Sequence, residues 1–355
     1  MLKELSPRSN DYLVSFGERI STRIFAAYCN KMGMKAVQFD AFEMGFITND
    51  AFMNADIQPE TYKLVKSSLS AVPKGTVPII TGFLGKAKDS GAITTLGRGG
   101  SDLSASIIGA SMNTQEIHVW KDVDGVLTAD PREVPNAKPV PVVTFREASE
   151  LAFFGAQVLH PLSMRPAWEY NIPVRVRNSY NPAATGTVIT SERKNNLPVT
   201  SLVEKKNVIL LDIVSTRMLN VHGFMAKVFQ VFQEEEISVD VVATSEVSIS
   251  LTLDPSQCTK DAQLARAVER LSEFSDVTTR KDMSIVSIIG NTQHSAEIIG
   301  RAGLKLSQGG IQIEMASIGA SKVNLSLVIQ EEDAKLAIKL LHDEFYPCKA
   351  EAVKV

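Results

Sequence analysis

The chain has 355 residues, a formal net charge of −3 and 22% charged residues, a size and composition typical of two or three soluble domains. It contains no block of basic residues and no apolar run of membrane-spanning length, which argues against a nucleic-acid-binding surface and a transmembrane helix. The three cysteines (Cys29, Cys258, Cys348) and five histidines are scattered, so their spacing indicates neither a metal site nor a disulfide framework.

Up to about residue 190, helical and strand patterns alternate along the chain. Helices are predicted at 19–32, 102–110 and 149–156, and strands at 36–39, 77–83, 116–120 and 172–176. This alternation predicts an α/β domain with a largely parallel sheet covered on both faces. The first residues form no signal or transit peptide and run directly into a helical pattern. We therefore expect Met1 to be an internal start within a longer protein.

The second half of the chain repeats itself after a polar, proline-interrupted segment at 191–200, which is predicted to be a linker. Segments 237–241 and 245–251 match 311–315 and 321–327 in residue type. Each copy is predicted to be a ferredoxin-like βαββαβ unit. In the first copy the elements are expected at 207–215, 224–235, 238–244, 247–253, 260–274 and 275–281. Two such units in tandem predict side-by-side sheets, or pairing between chains.

A glycine-rich segment, Thr94-Thr-Leu-Gly-Arg-Gly-Gly-Ser-Asp102, precedes the predicted helix at 102–110. Glycines let backbone amides approach an anion, and the following helix N-terminus adds donors and a favourable dipole. Arg98 can pair bidentately with a carboxylate or phosphate. The alternative is an ordinary glycine connection with Ser101 or Asp102 as the helix cap.

Three further segments carry weaker signals. Gly17-Glu18 at a predicted helix start suits an amine-binding carboxylate, or a first-turn glutamate that serves the helix dipole. Residues 120–132 follow a strand, where a nucleotide-binding loop is expected in an α/β sheet; a polar surface loop is the alternative. Residues 154–161 say little alone, and His160 before a proline is more typical of a structural cap.

Together these segments resemble the amino-acid-kinase family, and aspartate kinases in particular. The resemblance rests on Thr94–Asp102, on Ser-Phe-Gly-Glu at 15–18, on Lys-Asp-Val-Asp-Gly-Val at 121–126 and on Phe-Gly-Ala-Gln-Val-Leu-His-Pro at 154–161. The segment at 244–254 is similar to the first ACT repeat of lysine-sensitive, plant-like members. The implied architecture is a three-layer α/β sandwich at 1–190, truncated at its N-terminus, followed by ACT domains at 201–280 and 281–355.

The resemblance implies transfer of the γ-phosphoryl group of ATP, with Mg²⁺, to the β-carboxylate of L-aspartate. Glu18 would hold the substrate ammonium and Arg98 its carboxylate, while Ser101 and Asp102 would lie between substrate and ATP. Arg98 and Asp102 are the expected catalytic residues. The expected nucleotide-lining residues are Ser101, Asp102, Lys121, Asp122, Leu127, Arg132, Gln157 and Val158.

One family motif is missing. The family begins with Lys-Phe-Gly-Gly-Ser/Thr, and no Lys-Phe-Gly-Gly occurs in these 355 residues. Because that lysine and those amides are expected to stabilise charge on the transferred phosphoryl group, we expect this chain, taken literally, to be inactive or very weak. An incomplete sequence is the favoured explanation.

The resemblance also implies feedback inhibition by lysine, bound between ACT repeats of two subunits, and hence a homodimer or larger assembly. The expected effector-binding residues are Met218, Gly223, Phe224, Met225, Ser238, Val239, Asp240, Ser245 and Glu246. Asp240 and Glu246 would neutralise the two ammonium groups of lysine; an exposed strand residue and a turn residue are the alternatives. S-adenosylmethionine acts with lysine in some plant-like members.

Competing interpretations remain. The chain is expected to be an aspartate kinase, or else a catalytically empty lysine-binding regulatory subunit. Glutamate kinase is disfavoured because it is not expected to carry duplicated ACT domains, and a fused homoserine dehydrogenase is not expected. Plastid localisation is expected for plant-like relatives, through a targeting segment that these residues do not include, and a cytoplasmic location otherwise.

Overall fold

A computed structural model describes residues 5–156, 159–193, 197–215, 223–245, 247–255, 261–319 and 321–347. The chain forms two compact units, which differ from a simple division in sequence. The N-terminal unit comprises Met1–Val126, Pro141–Ala152 and Gln157–Lys194. The C-terminal unit comprises Leu127–Val140, Phe153–Ala156 and Asn195–Val355. Two short segments of the first half of the sequence therefore belong to the C-terminal unit.

The first half of the chain is an alternation of helices and short strands, as predicted. Its elements are α1 (Pro7–Lys31), β1 (Ala36–Phe39), β2 (Ile47–Thr48), α2 (Glu60–Ser70), β3 (Val77–Ile80), β4 (Leu84–Ala87), β5 (Ile93–Thr95), α3 (Gly100–Met112), β6 (Ile117–Lys121), β7 (Val142–Thr144), α4 (Phe145–Phe153), α5 (Pro161–Glu169), β8 (Val174–Asn178) and β9 (Thr187–Thr190).

Parallel pairing dominates these strands. The parallel pairs are β1 with β3, β2 with β4, β6 with β8 and β7 with β9, whereas β4–β5 and β8–β9 are antiparallel. In the described part of the chain they are distributed over three sheets, with orders β1-β3, β2-β4-β5 and β6-β8-β9-β7. The α/β class is confirmed.

Helix α1 begins twelve residues earlier than the predicted start at residue 19, at Pro7. Its N-cap is Ser6, whose side chain accepts a hydrogen bond from the Ser9 amide at 3.2 Å, and Pro7 has the fixed φ that suits the first helical position. Glu18 consequently lies in the middle of the helix. The predicted position of Glu18 at a helix start is wrong, and so is a first-turn role in serving the helix dipole; its amine-binding role stays a prediction.

Helix α4 begins at Phe145, four residues before the predicted start at 149. Glu147 Oε2 accepts from the Thr144 amide at 2.8 Å, and the Glu147 amide donates to Thr144 Oγ1 at 3.2 Å. This reciprocal pair is a capping box, and it fixes the start of the helix. The strand predicted at 172–176 is likewise shifted, to Val174–Asn178.

The second half of the chain builds one six-stranded sheet with helices. Its elements are β10 (Val199–Val214), α6 (Phe224–Glu234), β11 (Val239–Thr244), β12 (Ser248–Leu253), α7 (Asp261–Ser272), β13 (Asp276–Gly290), α8 (Ser295–Gln308), β14 (Met315–Ile318), β15 (Asn324–Gln330) and α9 (Ala334–Phe345). The strand order is β11-β12-β10-β13-β15-β14.

The long strands β10 and β13 are shared between the two repeats. The second half of β10 pairs with β12 and with the start of β13, which completes the first repeat. The first half of β10 pairs with the end of β13 at Lys205↔Ile285 and before, and β13 then pairs with β15. The second repeat therefore takes an outer strand from residues that precede the first repeat. Within the described residues it reads βαββα along the chain, and the start of β10 supplies the strand that was predicted to follow α9.

This strand exchange corrects the end of the predicted linker at 191–200, because Val199 and Thr200 form the start of β10. The boundary predicted between 201–280 and 281–355 therefore does not separate two sheets, because strands on its two sides are hydrogen-bonded to each other. Two arrangements of the repeats were predicted. The structure has the first of them, in which the sheets of the two repeats lie side by side within one chain, and here they form one continuous sheet.

Three apolar clusters pack against the six-stranded sheet. The helices of the first repeat pack on residues such as Ile213 and Leu251, and those of the second pack on Val286 and Leu327. A third cluster, around Leu210 and Val328, includes Phe154. Among the described residues, no helix combines the length and apolar character needed to cross a membrane.

Candidate functional site

The glycine-rich segment forms a turn between β5 and α3. Gly97 and Gly99 have φ values of 69° and 76°, which other residue types rarely adopt. Gly99 is the N-cap of α3 and supplies no side-chain hydrogen bond to the helix. The expectation that Ser101 or Asp102 caps the helix is therefore wrong, and the first amides of α3 are not satisfied by a capping side chain. Such amides are suited to an anion.

Close packing surrounds this turn. A Cβ atom on Gly99 would lie 2.7 Å from His160 Cβ, and one on Gly100 would lie 2.7 Å from Phe83 Cδ2. His160 is the residue before α5, and its side chain makes no capping hydrogen bond. Burial and then the neighbouring Arg98 guanidinium lower the pKa of His160 below its usual value. The imidazole next to the turn is therefore neutral at pH 7.

Glu18 and Ser101 meet at Gly82, the glycine that follows β3. Burial raises the pKa of the Glu18 carboxyl, and the backbone of Gly82, which lies close to it, opposes this rise. A Cβ atom on Gly82 would lie 2.8 Å from Ser101 Oγ. The carboxylate of α1 is thus held beside the N-terminus of α3. A partly desolvated carboxylate is well suited to bind an ammonium group.

Lys121 and Asp102 form an ion pair in the same region. Lys121, the last residue of β6, lies with its Nζ 3.2 Å from Asp102 Oδ2 in the first turn of α3. The two side chains are 28% and 21% exposed, so both can still reach a ligand. Asp122, the next residue, is exposed. Lysine at a strand end beside a helix N-terminus is suited to bind phosphate groups.

Asp11 fixes the strand that leads into the turn, and sequence reasoning missed it. Its side chain accepts from the Thr95 amide at 3.0 Å, from Thr95 Oγ1 at 2.8 Å and from the Met53 amide at 2.9 Å. Asp11 is 1% exposed, and its three donors compensate for the burial of its charge. A carboxylate inside a helical apolar pattern was the one available signal.

Not every predicted nucleotide-lining residue lies in the N-terminal unit. Leu127 and Arg132 belong to the C-terminal unit, and Arg132 is paired with Asp130, with Nη2 and Oδ2 2.6 Å apart. Gln157 and Val158 lie outside the described residues. The structure therefore brings together Glu18, Arg98, Ser101, Asp102 and Lys121 around one turn, and the roles of all the predicted site residues stay predictions.

The predicted effector residues lie in the first repeat of the C-terminal unit, except Met218 and Glu246, which lie outside the described residues. Gly223, with φ 88°, is the N-cap of α6 and makes no side-chain cap. Phe224 is buried and Met225 is exposed. Ser238 is exposed and Val239 half-buried.

Two further predicted effector residues have hydrogen-bond or ionic partners. Ser245 Oγ lies 2.8 Å from Ser248 Oγ. Asp240 is not the exposed strand residue of the alternative interpretation. Its side chain is 1% exposed, and its Oδ2 lies 2.7 Å from Lys205 Nζ. Burial raises the pKa of Asp240, which Lys205 opposes. Lys205 was not found from sequence, because no periodicity relates it to Asp240.

A glycine turn at the N-terminus of α3 and a duplicated C-terminal half are the features expected of an amino acid kinase domain with ACT domains. The amino acid kinase family matches residues 2–178, and an ACT domain family matches residues 211–273 and 286–345. The chain is 56% identical over 353 residues to aspartokinase 3, chloroplastic, of Arabidopsis thaliana, covering 98% of this chain and 63% of that protein.

Two solved structures of E. coli aspartokinase III share this fold. The complex with lysine and aspartate, in the T-state, has a TM-score of 0.79 and 33% identity, over 97% of this chain and 77% of that one. The complex with aspartate and ADP, in the R-state, has a TM-score of 0.76 and 34% identity, over 96% and 77%. The chain belongs to the aspartokinase family. It spans less than two thirds of the length of the Arabidopsis relative.

Proposed function

We propose that this chain is the nucleotide- and aspartate-binding part of an aspartate kinase, which transfers the γ-phosphoryl group of ATP to the β-carboxylate of L-aspartate. One observation carries the proposal. The uncapped N-terminus of α3, the Lys121–Asp102 pair and the Glu18 carboxylate lie around one glycine turn. This arrangement offers donors to phosphate groups and an acceptor to an ammonium group.

The residues divide by charge between the two substrates. Glu18 binds the α-ammonium of aspartate, and Arg98, which is exposed, binds a carboxylate of the same substrate. Lys121 and the α3 amides bind phosphate oxygens, and Asp102 positions Lys121. Asp122, Leu127, Arg132, Gln157 and Val158 complete the nucleotide site by resemblance. Phosphoryl transfer needs such positioning and charge neutralisation, and no protein nucleophile.

Magnesium enters this proposal with the nucleotide. Among the described residues, no three His, Cys, Asp or Glu side chains are grouped to hold a metal ion. The ligands of the ion would mainly be phosphate oxygens and water, as magnesium prefers. Its chemistry is to neutralise charge on the phosphates.

Feedback inhibition by L-lysine at the first ACT repeat belongs to the same proposal. The Arabidopsis relative is named chloroplastic and an E. coli structure contains lysine, which supports a lysine-regulated, plastid form. The uncapped helix N-terminus at Gly223 offers amides to the lysine carboxylate. Assembly through the ACT domains and a site for S-adenosylmethionine rest on the resemblance alone.

Binding and turnover measurements on the 355-residue chain test the proposal. Calorimetry should detect ADP with Mg²⁺ and L-aspartate, and a coupled assay should detect little aspartate-dependent ADP release, because Lys-Phe-Gly-Gly is missing from these residues. If neither ADP nor aspartate binds, the kinase site is wrong. Near-normal turnover would refute the expectation of weak activity.

A catalytically empty lysine-binding regulatory subunit is the second candidate. It is supported by a C-terminal unit whose two repeats form one continuous six-stranded sheet. This candidate predicts that the chain binds lysine, binds neither ADP nor aspartate, and changes the lysine response of a full-length aspartate kinase when the two are mixed.

A further inference from the structure

Lys205 holds together three groups of the C-terminal unit. Its Nζ lies 2.7 Å from Asp240 Oδ2, 3.1 Å from Asp254 Oδ2 and 5.3 Å from the centre of the Phe153 ring. The Lys205 side chain is 14% exposed. A lysine ammonium is therefore already bound to the carboxylate at which the proposed effector, itself a lysine, would place an ammonium group.

The Asp240 carboxylate is incompletely satisfied by this arrangement. Although its side chain is 1% exposed, Oδ1 is buried without a hydrogen-bond partner in the described part of the chain. Unmet buried acceptors are costly and are rare without a reason. An ammonium group has three donors, so an incoming one could serve this oxygen as well as Oδ2.

Phe153 connects Lys205 to a different part of the sequence. It is the last residue of α4 and belongs to segment 153–156, which is part of the C-terminal unit. The neighbouring Phe154 is 4% exposed and packs on the sheet with Leu210 and Val241. Residues 157 and 158 follow directly, and these are the predicted nucleotide-lining Gln157 and Val158. Lys205 therefore contacts both the predicted effector residue Asp240 and Phe153, which lies in the segment that precedes Gln157 and Val158 in sequence.

We propose that Lys205 is a displaceable internal cation. It occupies Asp240 until the ε-ammonium group of a free diamino acid takes its place, and its displacement ends its contact with Phe153 and loosens segment 153–156. This inference rests on the proposed function, since it concerns the same effector site. Lys205 acts as a positioning residue that sets effector affinity and links the effector carboxylate to the segment that leads to the nucleotide site.

Competition of this kind weakens the apparent affinity for the effector. If the site is free in only a fraction of the molecules, the apparent dissociation constant equals the intrinsic one divided by that fraction. Removal of the Lys205 ammonium should therefore strengthen binding of L-lysine. It should have no such effect on binding of L-norleucine, which has the same side-chain carbons as L-lysine but no ε-ammonium group.

Calorimetric titration of L-lysine and L-norleucine tests the proposal. We expect Lys205→Met to bind L-lysine about tenfold more tightly than the wild type or better, and to bind L-norleucine unchanged. Lys205→Arg retains a cation and should stay near the wild type. Lys206→Met is the matched control, because the neighbouring Lys206 pairs with Glu133 and Glu204 instead.

A charge-balanced variant covers the case in which Lys205→Met does not fold because Asp240 is left unpaired. Lys205→Met/Asp240→Asn buries no unpaired carboxylate. It should fold and bind L-lysine no better than L-norleucine. A clear preference of this double variant for L-lysine would overturn the assignment of Asp240 as the ammonium site, and with it the role of Lys205.

Hydrogen exchange measures the link to Phe153 independently. L-lysine should increase amide exchange in peptides that cover 153–156 in the wild type, and should have no such effect in Lys205→Met, in which the contact is already broken. Unchanged or weaker L-lysine binding by Lys205→Met would overturn the inference and leave the effector site intact. If neither protein binds L-lysine, the proposed effector site fails as well.

Discussion

Lys121 Nζ donates to Asp102 Oδ2 at 3.2 Å, and so joins the end of β6 to the first turn of α3. The two residues lie on the segments that carried the strongest and one of the weaker sequence signals. Because both side chains remain partly exposed, the pair orients a cation beside the helix N-terminus without removing it from solvent. Three predictions concern this site, and a fourth concerns His342 in the C-terminal unit.

Lys121→Met should weaken binding of ADP with Mg²⁺ by about tenfold or more, because a charge-assisted contact to phosphate is lost. The free energy of unfolding should change by less than about 1 kcal/mol, as is usual for partly exposed ion pairs. Calorimetry and urea unfolding measure the two effects. Lys66→Met, on the exposed face of α2, is the control. Equal ADP affinity in wild type and Lys121→Met would remove Lys121 from the nucleotide site.

Gly99→Ala should lose affinity for ADP, whereas Gly75→Ala should not. Both glycines have similar positive φ values, 76° and 79°, so each substitution introduces backbone strain of about 1 kcal/mol. Only at Gly99 would the new Cβ collide with another residue, His160; nothing lies within 4 Å at Gly75. Calorimetric ADP titration with parallel thermal melts separates strain from damage to the turn. A similar loss of ADP affinity in both variants would contradict this assignment.

Glu18→Gln should weaken binding of L-aspartate by about tenfold or more, because an ion pair becomes a neutral contact. Burial raises the pKa of Glu18 above 4.5, and only the ionised form binds ammonium strongly. Aspartate affinity should therefore fall as pH decreases towards this raised pKa.

Titrations with L-aspartate between pH 5 and pH 8, a window chosen from the usual range of raised carboxyl pKa values, check this dependence. The pH dependence of aspartate affinity should be lost in Glu18→Gln and retained in Glu43→Gln, a control variant at an exposed position. An unaltered pH profile in Glu18→Gln would assign the dependence to another group.

His342 should make the C-terminal unit less stable in acid. Its Nε2 lies 2.9 Å from Thr128 Oγ1, and it is fully buried, with Nδ1 unpartnered among the described residues. Burial, aided by Lys138 and opposed by Asp343, lowers the pKa of His342. The unfolded chain therefore takes up the proton first. Stability should fall as pH drops below about 6.5, the unfolded value, and level off below the lowered folded value.

Urea unfolding followed by circular dichroism at several pH values checks the role of His342. His342→Gln should lose this part of the pH dependence, and Thr128→Val should cost about 1–3 kcal/mol by leaving a buried group unpaired. Both tryptophans, Trp120 and Trp168, lie in the N-terminal unit, so their fluorescence reports that unit separately. His118→Asn, at a half-exposed site, should keep the wild-type profile.

The spacing of apolar residues along the chain was enough to predict much of the secondary structure. The periodicity of apolar residues predicted α6 at 224–235 and the structure has Phe224–Glu234. The errors came from short-range capping. Ser6 and Pro7 start α1 early, and the Thr144–Glu147 capping box starts α4 early; both signals were present in the sequence but were not weighed.

The sequence by itself determined the glycine turn before α3 and the duplication of the second half of the chain, because backbone freedom and residue periodicity act over a few neighbouring positions. Only the tertiary structure decided that Glu18 reaches Gly82, that residues 199–205 pair with the second repeat, and that Lys205 meets both Asp240 and Phe153. These contacts bring together residues that are tens of positions apart in sequence, through strand pairing and burial. Because such long-range contacts close large loops of the chain, they produce no periodic pattern in the sequence from which they could be predicted.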